Sequence, residues 1–423
     1  MEKNGLGVGK KIAIVALTFA LPIAVLCYLV LKNINEQIDF AALEKVGNTY
    51  QRPLEALLDH VQTYQIDSLS GKNNIELNVV KEKIEADFKA LEQVNKISGS
   101  DLQFTAEGLG KRKRDNATYE KLKASWDAIL SEKASPSQVK TKLDDSITTI
   151  RTMITHMGDT SNLILDPDLD SYYLMDVTLL ALPQTQQRIG DMVNYATEVL
   201  KSNNISIEQR LKFAVQAALL KEADMDRVAG SAQTSLNEDA NFYGTSPSLQ
   251  KNLPPLMEAY AVTAKKFQEM NEALSKENAN ISLQDYIAAG LAARNASFDL
   301  WNASVAELDV LLQARIESYE HRKTMSFILS GLALLIACII SYLVASSIVK
   351  PLNKLVNLLG PGATLLGQSV KKITKVNSEK ADPEMVGMIC EELDAHADDM
   401  RKTVRDLEKV VHGHAVTKLA DKK

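Results

Sequence analysis

The stretch Met325-SFILSGLALLIACIISYLVASSI-Val349 carries no charged residue, and Ile12-AIVALTFALPIAVLCYLV-Leu31 repeats the pattern near the start. A helix that crosses a bilayer takes about 20 consecutive apolar residues, and both runs reach that length. Residues 32–324, polar and helix-patterned, lie between them, and residues 350–423 follow the second run. Two spans around a large insert are the layout expected of a membrane sensor, which receives something on one face and reports it on the other.

Charge sets the expected orientation. Lys3, Lys10 and Lys11 precede the first run, and Lys350 and Lys354 follow the second. On the positive-inside rule both ends are cytoplasmic and residues 32–324 are outside, although Lys32, Arg322 and Lys323 reduce the contrast. The first run is longer than the apolar core of a cleaved signal peptide, so an uncleaved anchor is expected. Leu26 stands before Cys27 where lipoprotein processing needs a small residue. The expected divisions are 1–11 (cytoplasmic), 12–31 (span), 32–324 (periplasmic sensor), 325–349 (span), 350–410 (helical segment) and 411–423 (flexible tail).

Gly and Pro, at 19 and 11, are scarce enough to indicate long helices with few turns. A net charge of −6 gives no reason to expect a nucleic-acid partner. The basic run Lys111-Arg112-Lys113-Arg114 reads as a solvated loop within Ser98–Asn116. Cys27 and Cys338 lie in the apolar runs and Cys390 in the tail. The middle segment therefore forms no disulfide, Cys-ligated zinc site or c-type haem attachment, and no cofactor is expected.

Helical periodicity runs throughout residues 32–324. Leu54, Leu57, Leu58 and Val61 form one stripe; Val79, Ile84, Phe88, Leu91 and Val94 another; Leu143, Ile147, Ile150, Ile154 and Met157 a third. Breaks are expected at Ser135-Pro136, at Asn203-Asn204, at Tyr243 to Pro247 with Pro254-Pro255 soon after, and at Asn278 to Ser282. The helix after Ser282 has no stop before Ile348. About eight helices result, and they predict an all-α fold, most simply two stacked four-helix modules sharing the long first and last helices.

One segment concentrates chemistry: Asn162-LILDPDLDSYYLM-Asp176. A calcium loop starting at Asp166 would need Gly at 171 and Glu at 177, where Ser171 and Val177 stand, and Pro167 stiffens it. A helix junction accounts for more of it: Pro167 ends one helix and Asp168 or Asp170 caps the next. Tyr172, Tyr173 and Asp176 are left over. With Asp168 and Asp170 they are the expected lining of a pocket for a small polar ligand.

This segment, with the following LPQTQQRIGDM and the earlier GNTYQRPLEALL from Gly47 to Leu58, resembles the all-helical extracytoplasmic region of bacterial chemoreceptors (methyl-accepting chemotaxis proteins) and some sensor histidine kinases. The resemblance covers roughly residues 35–325. It implies a homodimeric periplasmic sensor in the inner membrane. Family members that bind organic acids clamp the carboxylate with arginine, for which bidentate pairing is the physical reason. Arg52, inside the earlier motif, is one candidate; Arg151, Arg188, Arg210, Arg227 and Arg294 qualify by type.

Ser347-IVKPLNK-Leu355 is similar to the opening of a HAMP domain, with Pro351 starting its first helix, and Glu384-Met-Val-Gly387 to the start of its second. These three, Pro351, Glu384 and Gly387, are the expected signal relay. The match departs from the pattern in a long interval between Pro351 and Glu384, and Gly360-Pro361-Gly362 is expected to break the first helix. The tail carries no phosphoacceptor box, nucleotide-binding glycines or methylated coiled coil, and no nucleophile and base stand in recognisable order. A non-enzymatic sensor reporting to a cytoplasmic signalling protein, full-length receptor or kinase is expected. A scaffold that reuses a receptor-like exterior is the alternative.

Overall fold

The first apolar run does not end its own helix. In the computed structural model, which describes residues 8–131, 136–202, 204–277, 280–376 and 383–420, α1 (Val8–Leu69) continues from that run through Gln51-Arg52-Pro53. At the other end α11 (Leu283–Val376) holds the second run. Between them come α2 (Asn74–Ser98), α3 (Ala106–Lys111), α4 (Tyr119–Ser131), α5 (Pro136–Thr160), α6 (Leu169–Met175), α7 (Leu182–Val199), α8 (Ile207–Leu219), α9 (Asp226–Glu238) and α10 (Pro247–Leu274), and α12 (Pro383–Ala420) closes the chain. No strand occurs among the described residues.

Local chemistry sets the helix starts. Asn73 and Glu76 form a reciprocal capping box at α2, and Ser206 and Gln209 do the same at α8. Two π turns, Asp176–Ala181 and Leu220–Met225, join α6 to α7 and α8 to α9. A π turn widens the helix and frees a carbonyl. At the first, Trp301 Nε1 of α11 donates to Thr178 O at 2.7 Å.

Several expected breaks are absent. Pro254 and Pro255 sit inside α10. Both are exposed, as are Gln250 and Lys251 four residues earlier, so water can take the carbonyls the prolines leave unpaired. Helix α11 runs through Pro351 and through Gly360-Pro361-Gly362. Ser98–Asn116 holds the short helix α3 instead of being loop throughout. Helix α12 continues past residue 411 to Ala420. Of the other expected breaks, Pro136 starts α5 and residues 280–282 precede α11, while Ser135, Asn203 and residues 278–279 lie outside the described residues.

The chain divides into two units, residues 31–324 and residues 1–30 with 325–423. The core of the first falls into two apolar clusters. In the larger, Leu54, Leu57, Leu58 and Val61 of α1 meet Ile84, Phe88 and Leu91 of α2, Trp126 of α4, Ile147 and Ile154 of α5, and Trp301 and Leu308 of α11. In the smaller, Ile66 of α1 meets Ile189 and Val193 of α7, Phe213 of α8, Phe267 of α10 and Tyr286 of α11. Each such side chain contributes about 1.5–3 kcal/mol of burial free energy.

The second unit shows the opposite pattern. Along the apolar runs the large apolar side chains among the described residues face outward, Leu17 and Leu21 being 67% and 68% exposed and Leu343 57%. Cys27 Sγ and Ser330 Oγ are 3.4 Å apart, which places the two apolar runs side by side. One helix among the described residues, over 283–351, is long and apolar enough to cross a membrane, with a mean hydropathy of 2.6 and nothing buried in its most apolar window.

Candidate functional site

The Asp-rich segment folds as a junction around a buried arginine. Helix α5 stops at Thr160, Asn162 turns the backbone at φ 68°, and Leu163–Leu165 form a 3-10 turn. Asp166 Oδ1 then accepts from Asp168 N and Ser171 Oγ, both at 3.0 Å, and Asp170 Oδ1 from Ser171 N at 2.7 Å. Asp168 occupies the N-cap of α6 but makes no capping bond. Its carboxylate goes instead to Arg315 of α11, at 2.6 Å from Nε.

Arg315 is 2% exposed and serves three carboxylates. Its Nη1 donates to Glu44 Oε2 of α1 at 2.6 Å, and its Nη2 to Asp166 Oδ1 and Ser171 Oγ, both at 2.5 Å. One guanidinium thus joins α1, α11 and the start of α6. Burial pushes the Glu44 carboxyl up to about 8, with Asp166 adding to the rise and Arg315 opposing it. Burial likewise lifts Asp170 to about 6. Arg315 itself moves up, because Asp166, Glu44 and Asp168 outweigh its own burial.

The other expected site residues disperse. Asp176 accepts from Arg227 Nη2 at 2.5 Å and from Ser231 Oγ at 2.7 Å, which pins α9. Tyr172 and Tyr173 stack edge to face with centroids 5.4 Å apart, Tyr172 on the surface. Arg52 pairs with Asp309 of α11. The structure therefore gathers Asp168 and Asp170 with Asp166, and holds Arg52 and Asp176 in separate ion pairs. Among the described residues no group of three or more His, Cys, Asp or Glu is placed to hold a metal ion. In the tail segment, Pro351 lies within α11, and Glu384 and Gly387 lie at the start of α12.

The arginines sort by what they already hold. Arg294 is buried and its guanidinium is saturated by Asp59, Gln62, Thr63 and the carbonyls of Leu58 and Asp59. Arg210 reaches Glu277 at 3.6 Å. Arg151 and Arg188 instead line a cleft of about 440 Å³ between α5, α7 and α8, with Gln184, Gln187, Asp191, Met192, Lys212 and Gln216. A further cavity of about 220 Å³ shares Gln187, Asp191 and Lys212 and adds Asn194 and Tyr195. The first volume falls in the range of small-molecule sites, about 300–1,000 Å³, and the second lies below it.

The cleft is cationic and partly unsatisfied. Arg188 Nε donates to Asp224 at 2.5 Å and Nη1 to Gln216 at 3.3 Å. Lys212 Nζ sits 3.8 Å above the Tyr195 ring. Arg151 Nη1 is buried with no hydrogen-bond partner. Burial lowers the pKa of Arg151, against the pull of Glu55 and Asp224. Burial raises Asp191, the one acid in the lining, to about 6, with Asp144 adding to the rise. An anion that paired with Arg151 and Arg188 would supply the missing acceptor.

Arg315, Glu44 and Lys212 were not among the sequence candidates. Arg315 had a signal: it continues the stripe Leu308, Leu311, Leu312 at helical spacing, so a charge falls on a core-facing position. Comparison with known proteins adds no precedent: no family model, curated protein or solved structure matches the chain.

Proposed function

We propose that the chain is a non-enzymatic, chemoreceptor-like transmembrane sensor whose exterior bundle binds a small anionic molecule in the cleft between α5, α7 and α8. The buried, unpartnered Nη1 of Arg151, beside Arg188 and Lys212, carries this reading. Native structures rarely leave such a group without an acceptor. An organic acid or inorganic phosphate has the matching chemistry.

The membrane assignment rests on the outward-facing apolar runs, which a bilayer would cover. In this reading both termini are cytoplasmic, residues 32–324 are periplasmic, and the chain pairs as a homodimer in the inner membrane. Residues 350–410 act as a HAMP-like relay to a cytoplasmic partner. Ligand binding shifts α11 against α1 by an ångström or two, a known mode of switching between helices. The tie between these helices through Arg315 supports such coupling.

A scaffolding role is the second reading. The exposed stripe Ile207, Leu211, Val215 and Leu219 on α8 favours it, since apolar side chains at four-residue spacing offer a face to another protein. Titration calorimetry of the full chain in detergent with succinate, citrate and inorganic phosphate separates the two. Saturable binding that Arg151→Ala abolishes supports the sensor. No heat with any of the three supports the scaffold.

A further inference from the structure

We infer that the Arg315 junction is a proton-binding site, in which Glu44 takes up a proton to close the junction between α1, α6 and α11 and releases it to open the start of α6. This lies beyond the anion cleft and does not depend on it.

The argument begins with charge. Glu44 on α1 faces Arg315 on α11, and Asp166 and Asp168 from the segment entering α6. Asp170 lies beside them. Tyr243, after α9, neighbours Asp168 and bonds Tyr319 of α11 at 3.4 Å. Lys45, next to Glu44, turns away to Gln313 at 2.7 Å. Three carboxyls therefore meet one guanidinium with a fourth beside them, and like charges held together in a desolvated site cannot all ionise.

The hydrogen bonds point the same way. Arg315 spends Nη1 on Glu44 Oε2 and Nη2 on Asp166 Oδ1. Glu44 Oε1 and Asp166 Oδ2 remain buried with no partner. A proton on either oxygen removes one charge from the cluster. Glu44 is the residue that keeps it: it accepts from Arg315 alone, whereas Asp166 also accepts from Asp168 N and Ser171 Oγ, bonds that favour its ionised form.

The two states follow from where the parts sit. With Glu44 protonated, Arg315 is matched chiefly to Asp166 and Asp168, and the junction closes. With Glu44 ionised, the excess charge is relieved by whichever acid can reach solvent. That is the α6 side, where Leu165, Pro167 and Leu169 are already exposed. The first turn of α6 then moves out, while α1 and α11 keep the Glu44–Arg315 pair.

The test uses the full chain in detergent micelles, with the proton as the probe. Infrared difference spectra between pH about 7 and about 9 are expected to show loss of a buried carboxylic-acid carbonyl band in Glu55→Gln, where Glu44 is the buried glutamate left to titrate, and no such loss in the double variant Glu44→Gln/Glu55→Gln. Hydrogen exchange over residues 163–171, corrected for the intrinsic pH dependence, is expected to speed up about tenfold or more across the same range in the wild type and not in Glu44→Gln. Asp166→Asn, which also removes one charge, should slow exchange at the higher pH and serves if Glu44→Gln folds poorly. A pH-dependent loss of the carbonyl band that persists in Glu44→Gln/Glu55→Gln, or exchange insensitive to pH in the wild type, overturns the inference.

Discussion

Glu44 of α1 and Arg315 of α11 lie 271 residues apart in the chain and meet at 2.6 Å, both side chains buried. The helices that hold the two apolar runs are thereby joined inside the bundle of residues 31–324, and the same guanidinium holds the Asp166–Ser171 turn. Removing one member of a buried ion cluster leaves the others uncompensated, which typically costs about 3–5 kcal/mol. Arg315→Met should lower the unfolding free energy of the full chain in denaturant by that amount. Adding Glu44→Gln should restore part of it, and a loss below about 1 kcal/mol in the single variant would mean the cluster does not hold the fold.

Stability should fall as pH rises. Glu44 and Glu55 are pushed up to about 8, and Asp170 and Asp191 to about 6, burial being the first cause in each. A carboxyl whose folded pKa exceeds its unfolded one contributes stability that is complete below the unfolded value and lost as pH passes the folded value. The melting temperature is therefore expected to decline from about pH 5 to about pH 8, most steeply between about 5 and 6, where all four carboxyls hold protons only in the folded state, and to level off once the two glutamates ionise. His156 works in the other direction: burial lowers it from 6.5, so its contribution is present above that pH and lost on acidification. A flat or rising profile from pH 5 to 8.5 would contradict the balance of these groups.

How much of this was legible in the sequence varies by level. The all-helical fold and the buried stripes at Leu54–Val61 and Leu143–Met157 followed from period alone, because burial repeats with the helix. Asp168 and Asp170 were legible as members of one site because they are neighbours in the chain. Arg315 and Glu44 were not, since what makes them partners is packing between helices 271 residues apart. The prolines of α10 misled because their cost depends on whether the freed carbonyls meet water, which only the fold decides. Arg151 and Arg188 were legible as residue types and not as a pair, for the same reason as Arg315.

Close approach of helices makes its own prediction. A Cβ built on Gly290 of α11 would lie 2.3 Å from Val193 Cγ2 of α7 and 3.0 Å from Phe267. Both neighbours belong to the smaller cluster and are fully buried. Gly290→Ala should destabilise by about 1–3 kcal/mol, read as a lower denaturant midpoint. Gly230→Ala on α9, where no atom lies within 4 Å of the added carbon, should stabilise slightly or leave the midpoint unchanged. Equal effects at the two positions would contradict the packing.

The proposed topology can be read with the native cysteines. Cys390 is exposed on α12, and Cys27 and Cys338 lie in the apolar runs. A membrane-impermeant maleimide added to spheroplasts should leave Cys390 unlabelled until the membrane is permeabilised. Labelling of Cys390 in intact spheroplasts would reverse the orientation.

The most direct test of the sensor reading is thermal unfolding of the full chain in detergent against succinate, citrate, inorganic phosphate, amino acids and calcium. A ligand at a hundredfold excess over its dissociation constant stabilises the native state by about 2.7 kcal/mol, enough to shift the melt visibly. The account predicts a shift with at least one of the anions, none with calcium, and loss of the shift in both Arg151→Ala and Arg188→Ala. No shift with any anion, or a shift that survives both substitutions, would contradict it.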